Sequence, residues 1–199
     1  LAGDLALVGA TKAIALCGAT PGTTARLLEL LERAVQVTCV GELTDVLASV
    51  APGQDVALVE AITMEEQKTA AYSFQLPMQL GAVLAGADDD VVRALGEVGR
   101  LAGIGFQLVD DLQGVFGDPT RTGKSTVGDL REGKMTPLIT HARSTEIWPQ
   151  IACHLGDRAL DDSTAATIRS LLDQCGSRAF IERLADDYAS AALRLAQQQ

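Results

Sequence analysis

FQLVDDLQGVFGDPTRTGKSTVGDLREGKMTPL, residues 106–138, decides how the chain is read. It sets two adjacent carboxylates, Asp110 and Asp111, at the end of an apolar helical run. A Gly-rich loop with Lys124 follows at once, and then an acidic–basic cluster with Asp129 and Lys134. Carboxylates and lysines spaced this closely suit a polyphosphate held through a divalent metal. The carboxylates take Mg2+, the metal takes phosphate oxygens, and the lysines neutralise the remaining charge.

Working outward, apolar residues recur at helical spacing from the KTAAYSF stretch to Val115. On such a helix Gln107, Asp110, Asp111 and Gly114 fall at i, i+3, i+4 and i+7 and share one face. Gly96, Gly99 and Gly103 repeat at a similar interval. Each glycine inside a helix costs about 1 kcal/mol against alanine, so the three need a reason. Close helix packing is one account, and room for a ligand beside the helix is the other.

These residues resemble the second aspartate-rich region of the trans-isoprenyl diphosphate synthases, the polyprenyl synthetases. The family pattern there is FQ, two residues, DDxxD, GD, a GK loop, DL and a second GK. This chain has Phe106-Gln107, Asp110-Asp111, Gly117-Asp118, Gly123-Lys124, Asp129-Leu130 and Gly133-Lys134. Lys68-Thr69-Ala70 resembles the family's KT motif, and Leu1–Leu5 resembles the segment that follows its first aspartate-rich motif. Gly41-Glu42 with Asp45 stands where members often show Gly-Gln and a nearby Asp. The wording is closest to short-chain members of the geranylgeranyl or farnesyl diphosphate type.

The resemblance implies an all-α fold, an isoprenoid-synthase-type helical bundle around a central substrate cavity. It implies a Mg-dependent prenyltransferase that condenses isopentenyl diphosphate with an allylic prenyl diphosphate, and a homodimer. On that reading Asp110 and Asp111 ligate Mg2+. Lys68, Lys124 and Lys134 hold substrate diphosphate, and Thr69 and Gln107 border the carbocation.

Two departures stand out. Gly114 occupies the place of the third aspartate of the motif. The first aspartate-rich motif and the basic cluster that binds isopentenyl diphosphate are absent from the sequence. The chain begins with Leu1 inside a helical pattern, and residues 1–199 are therefore expected to be one helical domain, the C-terminal portion of a longer protein. A non-catalytic partner subunit is the alternative reading. A terpene cyclase on the same fold expects an Asn-Asp, Ser, Glu triad that is not found.

Composition agrees with a helical domain large enough to bury a core. Hydrophobic residues make up 47% of the chain, but no apolar run is long enough to span a membrane. A net charge of −10 argues against nucleic acid and anionic membrane surfaces as partners. Anionic substrates must then be met by local lysines and bound metal. Cys17, Cys39, Cys153 and Cys175 are widely spaced, which fits a reducing cytoplasm rather than zinc or disulfides.

Helices are expected at 2–16, from a Thr23 or Thr24 cap to about Ala48, at 55–74 with an interruption or kink at Pro77 and resumption to Gly86, and at 89–116. A loop follows at 117–128, then helices at 134–144, 147–155, 163–175 and 177–197. Asp162 or Ser163 caps the segment 163–175. Residues 51–55 read as a loop. Gly117–Ser125 resembles a phosphate-binding P-loop, but the spacing is one residue too long and no strand precedes it. His141 and His154 have no catalytic partner in the sequence, and Asp161-Asp162 and Asp186-Asp187 read as caps or solvated faces.

Overall fold

The computed structural model describes residues 1–50, 56–123 and 125–198; the loop expected at 51–55 and Lys124 lie outside them. Every regular element among the described residues is helical. They are α1 (Ala2–Ala15), α2 (Pro21–Val50), α3 (Leu58–Glu65), a π-helical segment (Glu66–Gln75), α4 (Leu76–Leu84) and α5 (Asp89–Phe116). Six more follow: α6 (Pro119–Thr122), α7 (Gly128–Glu132), α8 (Pro137–Arg143), α9 (Trp148–Ala152), α10 (Asp162–Gln174) and α11 (Ser177–Ala196). None is long and apolar enough to cross a membrane.

Local chemistry explains most of the boundaries. Asp88 caps α5 by accepting from the Val91 N–H at 3.0 Å, and Asp89 and Asp90 in the first turn complement the helix dipole. The cap of α10 is Asp161, which accepts from Thr164 N–H at 2.8 Å, one residue before the expected pair. The start of α2 also lies earlier than the expected Thr23 or Thr24. Pro21 opens it, needing no N–H partner there, and Thr20 Oγ1 accepts from Thr23 N–H at 3.2 Å.

Pro77 does not interrupt the helix. It sits at the second residue of α4, which continues from the π-helical segment, and the chain changes register from π to α just before it. The helices expected at 134–144 and 147–155 are shorter. Pro137 opens α8, and α9 ends at Ala152. The expected loop 117–128 contains the one-turn helix α6, capped by Asp118, whose carboxylate accepts from Thr120 N–H at 2.9 Å.

α5 is the central strut, packed most extensively against α11 and the π-helical segment. Its inward residues Ile104, Leu108 and Val115 join Leu130, Leu138, Ile168, Leu172 and Ile181 in the main core. Leu27, Ala82, Val83 and Val92 form a second cluster between α2, α4 and the start of α5. The glycine row resolves in favour of packing. A Cβ on Gly99 would lie 2.7 Å from the Phe74 carbonyl oxygen, and one on Gly103 would press on Ala70. These glycines let α5 approach the backbone that carries Lys68.

Arg169 on α10 ties this frame together. Its Nε donates to Val115 O at 2.6 Å and its Nη2 to Thr126 Oγ1 at 2.9 Å. It thereby joins the end of α5 to the segment leading into α7. Charged hydrogen bonds of this kind contribute about 1.5–3 kcal/mol. Arg169→Met is expected to lower unfolding stability by about that amount in a urea titration, and to increase proteolytic cleavage between residues 117 and 127.

Candidate active site

A pocket of about 290 Å³ opens where α3, the π-helical segment, α5 and α7 meet. α5 contributes Gln107, Asp110, Asp111 and Gly114, the four residues whose spacing places them on one face. Glu65 and Lys68 come from the end of α3 and the π-helical segment, Asp45 from α2, and Asp129 and Lys134 from α7 and its exit. Met64 and Met135 are the apolar side chains in the lining, which is otherwise polar. Thr69 is half-buried beside Lys68 and is not in the lining.

One close backbone approach and one tight turn set this geometry. A Cβ on Gly41 would meet Gln67 Cβ and the Lys68 nitrogen, each at 2.7 Å. α2 therefore lies directly on the Lys68 segment, and Asp45, one turn on, pairs with the Lys68 ammonium. At the end of α7, Gly133 adopts φ +68. Gly133 N–H then donates to Leu130 O at 3.3 Å and Lys134 N–H to Asp129 O at 3.1 Å, a Schellman closure. That turn brings Lys134 Nζ within 2.6 Å of Asp129 Oδ1.

The electrostatics are those of an acidic pocket with engaged lysines. Burial works against the Lys68 ammonium, but its hydrogen bond to Asp45 and the charges of Asp45, Glu42 and Glu65 outweigh it and raise its pKa. Lys134 is raised in the same way, by Asp129 and Glu132 against burial. Asp111 is 5% exposed. Desolvation, and then the neighbouring Glu65 carboxyl, hold its pKa well above the usual range, despite the hydrogen bond from Gln107 Nε2 at 2.9 Å. Glu65, 6% exposed, is pushed up to about 7, first by burial.

These residues fit a divalent cation. Mg2+ takes hard carboxylate oxygens and keeps several waters or phosphate oxygens. Asp111 Oδ2 and Thr136 Oγ1, both in this pocket, are buried with no hydrogen-bond partner among the described residues. No three acidic, histidine or cysteine side chains among the described residues are arranged to hold a metal ion by themselves.

Residues 1–170 match the polyprenyl synthetase family model. The chain belongs to the polyprenyl synthetase family. A geranylfarnesyl diphosphate synthase of Aeropyrum pernix is 37% identical over 164 residues, 79% of this chain and 50% of that protein. A geranylgeranyl diphosphate synthase of Methanosarcina mazei is 31% identical over 94% of this chain and 56% of its own length. The chain thus spans about half the length of the curated relatives it matches. A solved geranylgeranyl pyrophosphate synthase of Corynebacterium glutamicum, in complex with isoprenyl diphosphate and magnesium, superposes with a TM-score of 0.89 at 30% identity. It covers 100% of this chain and 56% of the solved one.

At Gly114, where the polyprenyl synthetase pattern has its third aspartate, a Cβ would meet Asp129 Oδ2, the end of a side chain that can turn aside. Gly114→Asp is expected to destabilise the protein by about 1 kcal/mol, read as a lower urea midpoint, because it sets a second carboxylate against Asp129.

Glu65 was not singled out in the sequence. In MEEQKT it reads as one of two solvated helix acids, yet it lies three residues before Lys68 and shares its face. That i, i+3 relation to the KT motif is the signal that could have found it. Asp45 and Asp129 were visible as motif members, but their pairing with the two lysines was not.

Proposed function

We propose that this chain is the part of a trans-prenyl diphosphate synthase that carries the second metal-binding region and grips the allylic diphosphate. The observation that carries the reading is the convergence of Lys68, Gln107, Asp110, Asp111 and Lys134 on one pocket from separate elements. Its substrates are isopentenyl diphosphate and an allylic prenyl diphosphate, and its product is the allylic chain lengthened by one isoprene unit.

Asp110 and Asp111 would hold Mg2+, which supplies Lewis-acid neutralisation of the diphosphate leaving group. Lys68 and Lys134 exchange their carboxylate partners for phosphate oxygens, so their charge is already positioned. Lys124 precedes the same segment and takes the same role. Gln107 gives its amide N–H to Asp111, which leaves its carbonyl dipole to face positive charge on the allylic carbon. Thr69, outside the polar lining, borders the allylic chain. Phe106 and Val109 stand exposed on α5 beside the polar face, and Phe106 packs on Phe74 at 5.1 Å between ring centroids. These apolar surfaces exclude water once covered.

α1 supports the homodimer reading. None of its residues is buried, and Leu5 and Val8 are 67% and 66% exposed. Sedimentation of the full-length protein is expected to give twice the protomer mass, and Leu5→Glu with Val8→Glu is expected to shift it toward the protomer.

The activity is tested by incubating full-length protein with labelled isopentenyl diphosphate and an allylic diphosphate, with Mg2+ or with EDTA. Elongated prenyl diphosphate formed only with Mg2+ is the expected result. No Mg2+-dependent product from any allylic starter would favour a non-catalytic subunit.

A further inference from the structure

Thr136 stands at the N-cap of α8, immediately before Pro137. A proline ring restricts the residue before it to extended backbone, and Thr136 has ψ 162. Its carbonyl accepts from Thr140 N–H at 2.9 Å. In this position a threonine hydroxyl ordinarily accepts from a backbone N–H of the first helical turn. Here it makes no such bond. Thr136 is 6% exposed, its Oγ1 is buried with no partner among the described residues, and it lines the pocket of Asp110, Asp111 and Lys134. A buried hydroxyl left unpaired is unfavourable. The backbone that carries it is anchored, because Leu138, Ile139 and Ala142 of α8 are packed in the main core.

Two unpaired buried oxygens belong to this pocket, Asp111 Oδ2 and Thr136 Oγ1, and their chemistry differs. A carboxylate oxygen suits a cation. A hydroxyl is neutral and has a proton to donate, which suits an anion. Thr136 lies two residues after Lys134, and both line the pocket. An anion drawn to the Lys134 ammonium therefore arrives beside a hydroxyl that no other group holds. The other hydroxyl in the lining, Ser125, is already engaged, accepting from Val127 N–H at 3.3 Å.

We propose that the Thr136 hydroxyl is a substrate-binding group that donates a hydrogen bond to a phosphate oxygen of the anion held by Lys134. The proposal rests on the diphosphate reading given above and adds to it a neutral donor from the start of α8. Lys134 supplies charge, which attracts from any direction, whereas a hydroxyl on an anchored backbone fixes where one oxygen sits. Thr136 thus orients the diphosphate that the lysines attract.

The test is equilibrium dialysis of full-length protein against radiolabelled inorganic pyrophosphate with excess Mg2+. Thr136→Val keeps the shape and removes the donor, and is expected to weaken pyrophosphate binding about tenfold, the worth of one hydrogen bond to a charged group. Thr136→Ser keeps the hydroxyl and is expected to bind within about twofold of wild type. Without pyrophosphate, Thr136→Val is expected to melt at or above the wild-type temperature, because the free protein loses no hydrogen bond. A change smaller than about threefold in Thr136→Val, the result if water alone meets the hydroxyl, overturns the proposal and leaves the diphosphate reading standing. An equal loss in Thr136→Ser also overturns it, since the loss would then follow the packing of the methyl group. A lower melting temperature of free Thr136→Val, or its failure to fold, overturns it by giving the hydroxyl a partner within the protein. No pyrophosphate binding by wild type with Mg2+ overturns both.

Discussion

Asp111→Asn in the full-length protein is expected to lower prenyl-transfer kcat/KM by about 10²–10³-fold, a loss of several kcal/mol of transition-state stabilisation. The substitution is close to isosteric. Asn keeps an oxygen that accepts from Gln107 Nε2, so the 2.9 Å hydrogen bond that orients residue 111 is retained. What disappears is the negative charge that a divalent cation needs. Asp111 is buried, and desolvation and the Glu65 charge raise its pKa. The metal-free variant should therefore melt at the same temperature as wild type or higher. Weak activity with undiminished stability assigns the effect to ligand chemistry. Activity within tenfold of wild type would remove Asp111 from the metal site. Asp110→Asn is expected to cause a comparable loss.

Glu65→Gln is expected to stabilise the metal-free protein above pH 7 by on the order of 2–3 kcal/mol. The sign follows from proton binding in the two states. In the folded protein burial pushes the Glu65 carboxyl up to about 7, against 4.5 for an ordinary glutamate. Between those values the folded state holds a proton that the unfolded state has released, so stability falls as pH rises through this window. Below about pH 4.5 both states are protonated and the penalty is absent. Above about pH 7 it is fully present, and a neutral glutamine removes it. Urea unfolding of wild type and Glu65→Gln in EDTA, at pH 5 and pH 8, is the measurement. The two midpoints should converge at the lower pH and separate at the higher. Equal midpoints at pH 8 would mean that the Glu65 charge is already compensated in the metal-free protein.

Lys68 and Lys134 are kept charged and in place by Asp45 and Asp129. On the proposed reading, exchange of these carboxylates for phosphate oxygens would cost less than drawing a solvated lysine into the pocket.

Much of this was legible along the chain because helical periodicity is local. The face of α5 follows from spacing alone: Gln107, Asp110, Asp111 and Gly114 recur every three or four residues, and all four line the pocket. The Asp88 cap, the first-turn acids of α5 and the boundary at Gly176 between α10 and α11 are decided by a few neighbouring residues. The π register before Pro77 left no comparable signal. An i→i+5 turn differs from an α turn by one residue of slippage, and its side-chain pattern over ten residues is not distinctive.

Pairings between distant elements were decided by the tertiary structure. The three glycines of α5 are equally compatible with a ligand cleft and a tight helix contact, and the choice depended on where the Lys68 segment lies. Glu65 became a pocket residue only when α3 was set against α5, and Asp129 came to face Gly114 only when α7 was docked there. The sequence by itself determined the helices, the polar face of α5 and the family. The packing of chain segments more than sixty residues apart brought Asp45 to the carboxylates of α5. The physical reason is range: caps and periodicity act within a turn or two of helix, whereas burial and charge at a site depend on every element that closes over it.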